Sequence, residues 1–225
     1  LGRIWAGAAG GLYLLETSAD FSTGKFIKIP FRDEITKQDD DRVYNLHIEN
    51  DTTLWLACRE GISEINLSTL NYKFFSHETS SAMPKEECRV IYSDSRNDLW
   101  LGFGGGGVTK IKRSFINSQE KYSFTNYKDD PNSSTSISNN TILSIWEDKN
   151  NNMWFGTYGG GLNKFNPSTT TFTSYTEENG LSNNSIYGVL EGSENTLWVS
   201  TNFGLSKFNI GTSTFQNYQE NDGLQ

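Results

Sequence analysis

The chain has 225 residues, a formal net charge of −8, 35% hydrophobic and 13% aromatic residues, and two cysteines. That acidity, with no basic stripe to oppose it, argues against nucleic acid and against an anionic membrane surface as partners. Cys58 and Cys88 form no C-x-x-C and lie near no histidine at ligand spacing, so a zinc site and a disulfide scaffold are excluded from the reading. They are expected as two buried thiols, with one disulfide across neighbouring elements as the alternative. No apolar run reaches the length of a membrane span. The chain opens on LGRIW, inside a motif, and is expected to be a piece of something longer.

In chain order one pattern returns five times: LGRIWAGAAGGLYLL, TTLWLACREGISEIN, NDLWLGFGGGGVTKI, NNMWFGTYGGGLNKF and NTLWVSTNFGLSKFN. Its anchors Trp5, Trp55, Trp100, Trp154 and Trp198 stand 50, 45, 54 and 44 residues apart, the period of propeller blades. Two positions after each Trp comes a small residue: Gly7, Ala57, Gly102, Gly156 and Ser200. Six or seven positions after it comes Gly11, Gly61, Gly107, Gly161 or Gly204. An aromatic-x-x-aromatic pair follows as Tyr72/Phe75, Phe124/Tyr127, Phe172/Tyr175 and Phe215/Tyr218, with Phe26/Ile29 in the first unit. Apolar residues stand twelve and nine positions before the Trp: Val43/Leu46, Cys88/Ile91, Ile142/Ile145 and Ile186/Val189.

Four short segments parted by Gly-, Asn- and Ser-rich turns predict a four-stranded antiparallel sheet. In the last unit they read SIYGVLEG, TLWVSTN, GLSKFNI and STFQNYQ, and the three-residue spacings Leu205/Phe208 and Phe215/Tyr218 predict bulges or tapered ends. Such a sheet cannot bury both faces alone, whereas sheets stacked around an axis can. The expected fold class is therefore all-β, a β-propeller of four-stranded antiparallel blades with about five blades present. The blades fall at about 1–30, 31–76, 77–128, 129–176 and 177–225 of a single partial propeller.

Two motifs invite a chemical reading. GFGGGG at residues 102–107 matches G-x-G-x-x-G, but it occupies the slot of the turn between the second and third strands. A phosphate-binding loop needs a following helix, and the residues that follow, VTKIK, predict a strand. The turns DSRNDLW, DKNNNMW and GSENTLW are similar to the aspartate box of sialidases. Here Asp94 and Asp148 stand six residues before the Trp, and Asn97, Asn151 and Asn195 take the tight position. These residues predict a structural turn, since Asn tolerates the left-handed conformation.

The repeated D-x-x-x-x-LW-x-G-T-x-G-G-L-x-x-[FY] and the joins, as in YTEENGLSNNSIYGVLEGSENTLWVSTNFGLSKFN, resemble two-component regulator propeller repeats. Such repeats occur in the extracytoplasmic sensor regions of Bacteroidetes hybrid two-component histidine kinases. The resemblance implies seven-bladed propellers in tandem, then a β-sandwich, a membrane helix, and a kinase and regulator inside. It implies oligosaccharide ligands and, through the parent protein, a homodimer. The ending NYQENDGLQ resembles the junction to a last propeller segment. A five-bladed arc leaves two blade faces uncovered, so the isolated chain is expected to dimerise, aggregate or close imperfectly.

Catalytic groups are sparse. His47 shares its slot with Tyr92, Trp146 and Leu190 and is expected to pack, while His77 is expected to face solvent. Asp39, Asp40, Asp41, Asp129 and Asp130 lie in connections without calcium-loop spacing, and no G-x-S-x-G occurs. No catalytic residue, metal or cofactor is therefore expected. The loops on the channel-mouth face give the candidate ligand set: Arg59, Phe103, Tyr158 and Phe203 between strands two and three, with Asp41, Arg42, Arg89, Asn140 and Asn184 at the first strand. Rings beside Arg, Asp and Asn suit a sugar. The leading expectation is a non-enzymatic periplasmic sensor module for an oligosaccharide, without nucleic-acid contact or membrane insertion of this segment. A protein-interaction scaffold and a lyase or glycosidase are the alternatives.

Overall fold

The computed structural model describes residues 3–18, 23–32, 41–116 and 119–224. Among the described residues nineteen strands build five antiparallel sheets. The first has three strands, β1 (Ile4–Ala8), β2 (Gly11–Thr17) and β3 (Gly24–Ile29). The second holds β4 (Val43–Asn50), β5 (Thr53–Cys58), β6 (Gly61–Asn66) and β7 (Tyr72–Ser76). The third holds β8 (Cys88–Ser93), β9 (Leu99–Phe103), β10 (Val108–Ile116) and β11 (Gln119–Tyr127). The fourth holds β12 (Ile142–Glu147), β13 (Met153–Thr157), β14 (Leu162–Asn166) and β15 (Thr171–Tyr175). The fifth holds β16 (Ile186–Glu191), β17 (Thr196–Thr201), β18 (Gly204–Asn209) and β19 (Thr214–Tyr218). Strands pair in chain order within every sheet, which is the meander of a propeller blade. The third and fourth strands of the last sheet, where the spacing predicts bulges or tapered ends, pair in unbroken register. Bulges sit instead near the start of the first strand, where register shifts between Val43 and Asn45, Ile142 and Ser144, and Ile186 and Gly188.

The chain divides into two compact units, Leu1–Ile91 and Tyr92–Gln225, parted within β8. In the first unit, Leu12, Leu14 and Ile29 of one sheet pack with Val43, Leu54, Leu56 and Ile65 of the next, with Trp5 and Leu46 against them. Trp55 is fully buried. The apolar residues placed upstream of the Trp are thus the seam between sheets.

In the second unit large rings make the seams. Trp100 meets Phe155 at 5.3 Å and Phe165 at 5.1 Å between ring centroids. Trp154 meets Phe208 of the next sheet at 5.6 Å. Within a sheet the Trp also meets the second aromatic of the pair: Trp100–Tyr127 at 6.2 Å, Trp154–Tyr175 at 6.1 Å and Trp198–Tyr218 at 5.4 Å. Each ring pair adds about 1 kcal/mol beyond its area burial, which explains how a chain poor in aliphatics holds its seams. Across β13–β14 and β17–β18, Lys164 and Lys207 lie over the rings of Trp154 and Trp198 at 5.3 and 5.7 Å, so the lysine stems cover the outer face of each ring.

Candidate functional site

The turns between second and third strands owe their glycines to packing. Gly61, Gly107, Gly161 and Gly204 all have positive φ. A Cβ on any of them would overlap the carbonyl oxygen of Phe75, Tyr127, Tyr175 or Tyr218. That oxygen belongs to the second aromatic of the same unit, so the glycine lets the outer strand close over the turn. A strand, β10, follows GFGGGG, where a phosphate-binding loop would lead into a helix.

The same turns are clasped by the next sheet. The amides of Gly105 and Gly107 donate to the Asn140 carbonyl at 3.1 and 2.8 Å, and those of Gly159 and Gly161 donate to the Asn184 carbonyl at 3.1 and 2.8 Å. The side-chain oxygens of Asn140 and Asn184 accept from the amides of Asp129 and Glu177, each at 2.8 Å. Two of the nine candidate residues are therefore staples between neighbouring sheets, with their acceptors already engaged. Serines reinforce them: Ser138 donates to the Gly160 carbonyl at 2.5 Å, and Ser182 shares a hydrogen bond of 2.8 Å with Ser206.

Phe103 is a correction. It is 0% exposed, as the last residue of β9, whereas its position in the sequence predicts a loop between strands two and three. Counted from the Trp it shares its slot with Cys58 and Thr157, which are also buried, and Gly104, not Phe103, stands in the slot of Tyr158. Tyr158 and Phe203 do stand in the turns, 57% and 60% exposed.

In the first unit Asp41 is occupied. It accepts from Lys28 Nζ at 2.8 Å and from Arg32 Nη2 at 2.9 Å, and Arg32 Nη1 reaches Glu60 at 2.6 Å. The hydrogen bond from Lys28, aided by that from Arg32, holds the Asp41 carboxyl below its usual range against the opposing effect of burial. Arg32, with a side chain only 5% exposed, was not singled out in the sequence, because nothing in FRDE distinguishes a buried guanidinium from a solvated one. Arg42 and Arg89 are exposed. Arg42 lies 5.8 Å from the centroid of the Tyr44 ring. Arg89 Nε donates to Glu87 at 2.8 Å, and the Tyr44 hydroxyl donates to the other Glu87 oxygen at 3.2 Å. Arg89 chiefly, with Tyr44 and the field of Arg59, keeps Glu87 ionised to lower pH than usual despite partial burial. The structure thus gathers Arg42, Arg59 and Arg89 around Tyr44 and Glu87.

The aspartate turns are structural. Asp148 Oδ2 accepts the Trp154 indole N–H at 2.9 Å, while Oδ1 accepts the amides of Asn150 and Asn152, each at 2.9 Å. Asp94 does the same for Trp100 at 2.8 Å and for Arg96 and Asp98. Asn97, Asn151 and Asn195 take φ near +60°, at 62, 60 and 61°. In the second sheet Glu49 replaces the Asp and accepts from Trp55 at 3.2 Å.

His47 is half-buried and sits opposite Trp55 in the β4–β5 register. Burial pushes its pKa down, with Glu49 opposing. His77 departs from the expectation of a solvent-facing ring: it is half-buried and Nδ1 lies 2.6 Å from the Met83 carbonyl. Cys58 and Cys88 are buried free thiols, both raised well above the usual range by burial. Of the acidic connections, Asp130 caps its own turn through Asn132, and Asp39 and Asp40 lie outside the described residues. Among the described residues no group of three His, Cys, Asp or Glu could hold a metal ion, and no helix is long and apolar enough to cross a membrane. A depression of about 400 Å³ is lined by Asn152, Lys164 and Tyr175, and another of about 280 Å³ by Thr53, Glu64 and Tyr72. None of the nine candidates lines either of these two.

Repeated four-stranded meanders with aromatic seams define a β-propeller. The sequence model of the two component regulator propeller matches residues 136–159 and 180–203, which cover β12–β13 and β16–β17 with the connectors before them. These two segments are similar to two-component regulator propeller repeats. The extracellular domain of a hybrid two component system from B. thetaiotaomicron is similar at 20% identity and a TM-score of 0.70, over 96% of this chain and 27% of that one. A second such domain from B. thetaiotaomicron is similar at 19% and 0.72, over 97% and 29%. PorZ, a surface component of the type-IX secretion system of Porphyromonas gingivalis, is similar at 17% and 0.71, over 99% and 33%. The chain spans about a quarter to a third of the length of these structures, and at these identities the likeness is one of fold. No curated protein matches the chain.

Proposed function

We propose that the chain is a non-catalytic sensor module in the periplasmic part of a hybrid two-component signalling protein, where it detects an oligosaccharide. The observation that carries this reading is the pair of two-component regulator propeller repeats at residues 136–159 and 180–203, whose second-to-third-strand turns present Tyr158 and Phe203 to solvent. Exposed rings stack on the apolar face of a pyranose, and adjacent amides, here Asn183 and Asn202 joined at 3.4 Å, bond its hydroxyls. In the first unit Arg42, Arg59 and Arg89 offer planar donors of the same use. Kinase output, membrane anchoring and dimerisation belong in this reading to the parent protein.

A second reading, a protein-interaction scaffold without small ligand, is favoured by the clasp itself. Asn140 and Asn184 are engaged and Phe103 is buried, which leaves the proposed face fewer groups for a sugar. Thermal unfolding against a panel of plant and host oligosaccharides separates the two. A sugar at a hundred times its Kd adds about 2.7 kcal/mol, roughly 5–10 °C for a chain of this size. The sensor reading expects such a shift, abolished in Tyr158→Ala/Phe203→Ala with the unliganded melting temperature unchanged. A shift that survives the double variant moves the site elsewhere, and no shift with any sugar favours the scaffold.

A further inference from the structure

Strands β10 and β11 are nine residues each, against five in β14 and β15. The neighbouring strand β9 pairs only with Val108–Ile111. Five further pairs, from Lys112↔Ser123 to Ile116↔Gln119, therefore form a two-stranded arm that continues past the sheet. At about 3.4 Å per residue the arm reaches roughly 17 Å beyond the end of β9.

The arm's composition is unlike that of the rest of the chain. Phe115 and Ile116, next to its tip, are 73% and 57% exposed, and no core requires them there. Register places Lys112, Ser114, Ile116, Gln119, Lys121 and Ser123 on one face, all exposed and with no carboxylate among them. Counting both faces, the arm holds Lys112, Arg113 and Lys121 against Glu120 alone, in a chain of net charge −8.

We propose that this arm docks on an anionic lipid surface, with Phe115 and Ile116 entering the headgroup boundary and Lys112 and Lys121 meeting the lipid phosphates. Two arguments select a lipid surface over a protein. A stable protein interface takes about 800 Å² and roughly 20–30 residues from each side, and the arm offers ten residues. Insertion of an apolar tip with a cationic collar needs no more area than the inserted side chains. The chain's acidity does not prevent it. The Debye length at physiological salt is about 8 Å, so at Lys121, opposite Ser114 and roughly 10 Å past the end of β9, the arm's own charges outweigh those of the sheet, while Lys112 stands at the arm's base.

The test is sedimentation of the full chain with vesicles of equimolar phosphatidylcholine and phosphatidylglycerol, and with pure phosphatidylcholine. The chain is expected to bind the anionic vesicles at least tenfold better, and to be released by 1 M salt. Phe115→Ser/Ile116→Ser and Lys112→Glu/Lys121→Glu should each lower binding at least tenfold, with melting temperatures unchanged because these residues lie outside the sheet. Leu190→Ser, at an exposed apolar residue elsewhere, should leave binding intact. The proposal is overturned if the unaltered chain binds neither vesicle, if binding survives both arm variants, or if Leu190→Ser weakens it equally. It is also overturned if the arm variants change the chain's own self-association instead, which would make the arm a contact between copies. A single Phe115→Ser variant supplies the same readout should a double variant fail to fold.

Discussion

At Asp148 one carboxylate closes the β12–β13 turn and also satisfies a fully buried indole. Its oxygens accept from two turn amides, from the Asn152 side chain at 2.9 and 3.0 Å, and from Trp154 Nε1. Asp148→Ala strands the Trp154 donor in the core and should cost about 3 kcal/mol, read as a lower urea midpoint. Asp148→Asn keeps one acceptor oxygen and should cost less than half as much. With that oxygen on the turn amides at the Oδ1 position, equal losses from the two would mean that the indole bond at Oδ2, not the turn, sets the energy. The fifth sheet contains a natural comparison, since Gly192 stands in this slot and a Cβ there would press on Thr196 and Trp198. At this scale the turn chemistry is legible in the sequence, and the surroundings of a loop side chain are not. Position alone places a side chain on the turn face, but occupancy depends on partners brought from elsewhere. Lys28 and Arg32 engage Asp41, and a neighbouring sheet's turn engages Asn140. A lone repeat offset cannot reveal either.

The hairpin is the element that repeats most faithfully, and its glycine is the residue least open to change. At Gly161 the backbone has φ +78° and the Tyr175 carbonyl occupies the space of a Cβ. Gly161→Ala should therefore destabilise by about 3 kcal/mol, with both left-handed strain and overpacking contributing. Gly159 also has positive φ, at +88°, but nothing lies within 4 Å of an added Cβ, so Gly159→Ala should cost about 1 kcal/mol from strain alone. Paired chemical denaturation of the two variants isolates the carbonyl contact as the difference. If both lose the same stability, the close approach carries no energy. Strand order, turn glycines and seam residues were legible because each is a local pattern stated four or five times. The length of β10–β11 was not, because KIKRSFI and QEKYSF alternate well enough to pair or to stand as loop, and only the register of the two strands decides.

For the whole molecule, the two compact units each contain carboxylates whose folded-state pKa lies below the ordinary value. Asp41 is lowered by hydrogen bonds from Lys28 and Arg32 against burial, and Glu87 by Arg89 against burial, both in Leu1–Ile91. In Tyr92–Gln225 burial alone would raise Asp148, but hydrogen bonds from Trp154, Asn152 and Asn150 outweigh it and leave it lowered. A lowered carboxylate binds its proton less readily folded than unfolded, so its contribution is complete above the unfolded value and is lost as pH falls through the folded one. With unperturbed values of 3.8 for Asp and 4.5 for Glu, these carboxylates keep their full contribution from about pH 6 upward. They lose it progressively below pH 4. His47 adds a milder slope at higher pH, because burial lowers its pKa and favours the neutral ring, so its own cost begins as pH drops through 6.5. Urea midpoints measured at pH 7, 5 and 3 should change little over the first interval and fall steeply over the second. In Asp41→Asn/Asp148→Asn the curve should start lower at pH 7 and fall less between pH 5 and 3, because the protons that the native carboxylates resist no longer distinguish the two states. An unchanged acid slope in that variant would assign the acid sensitivity to the remaining carboxylates, Glu87 first among them.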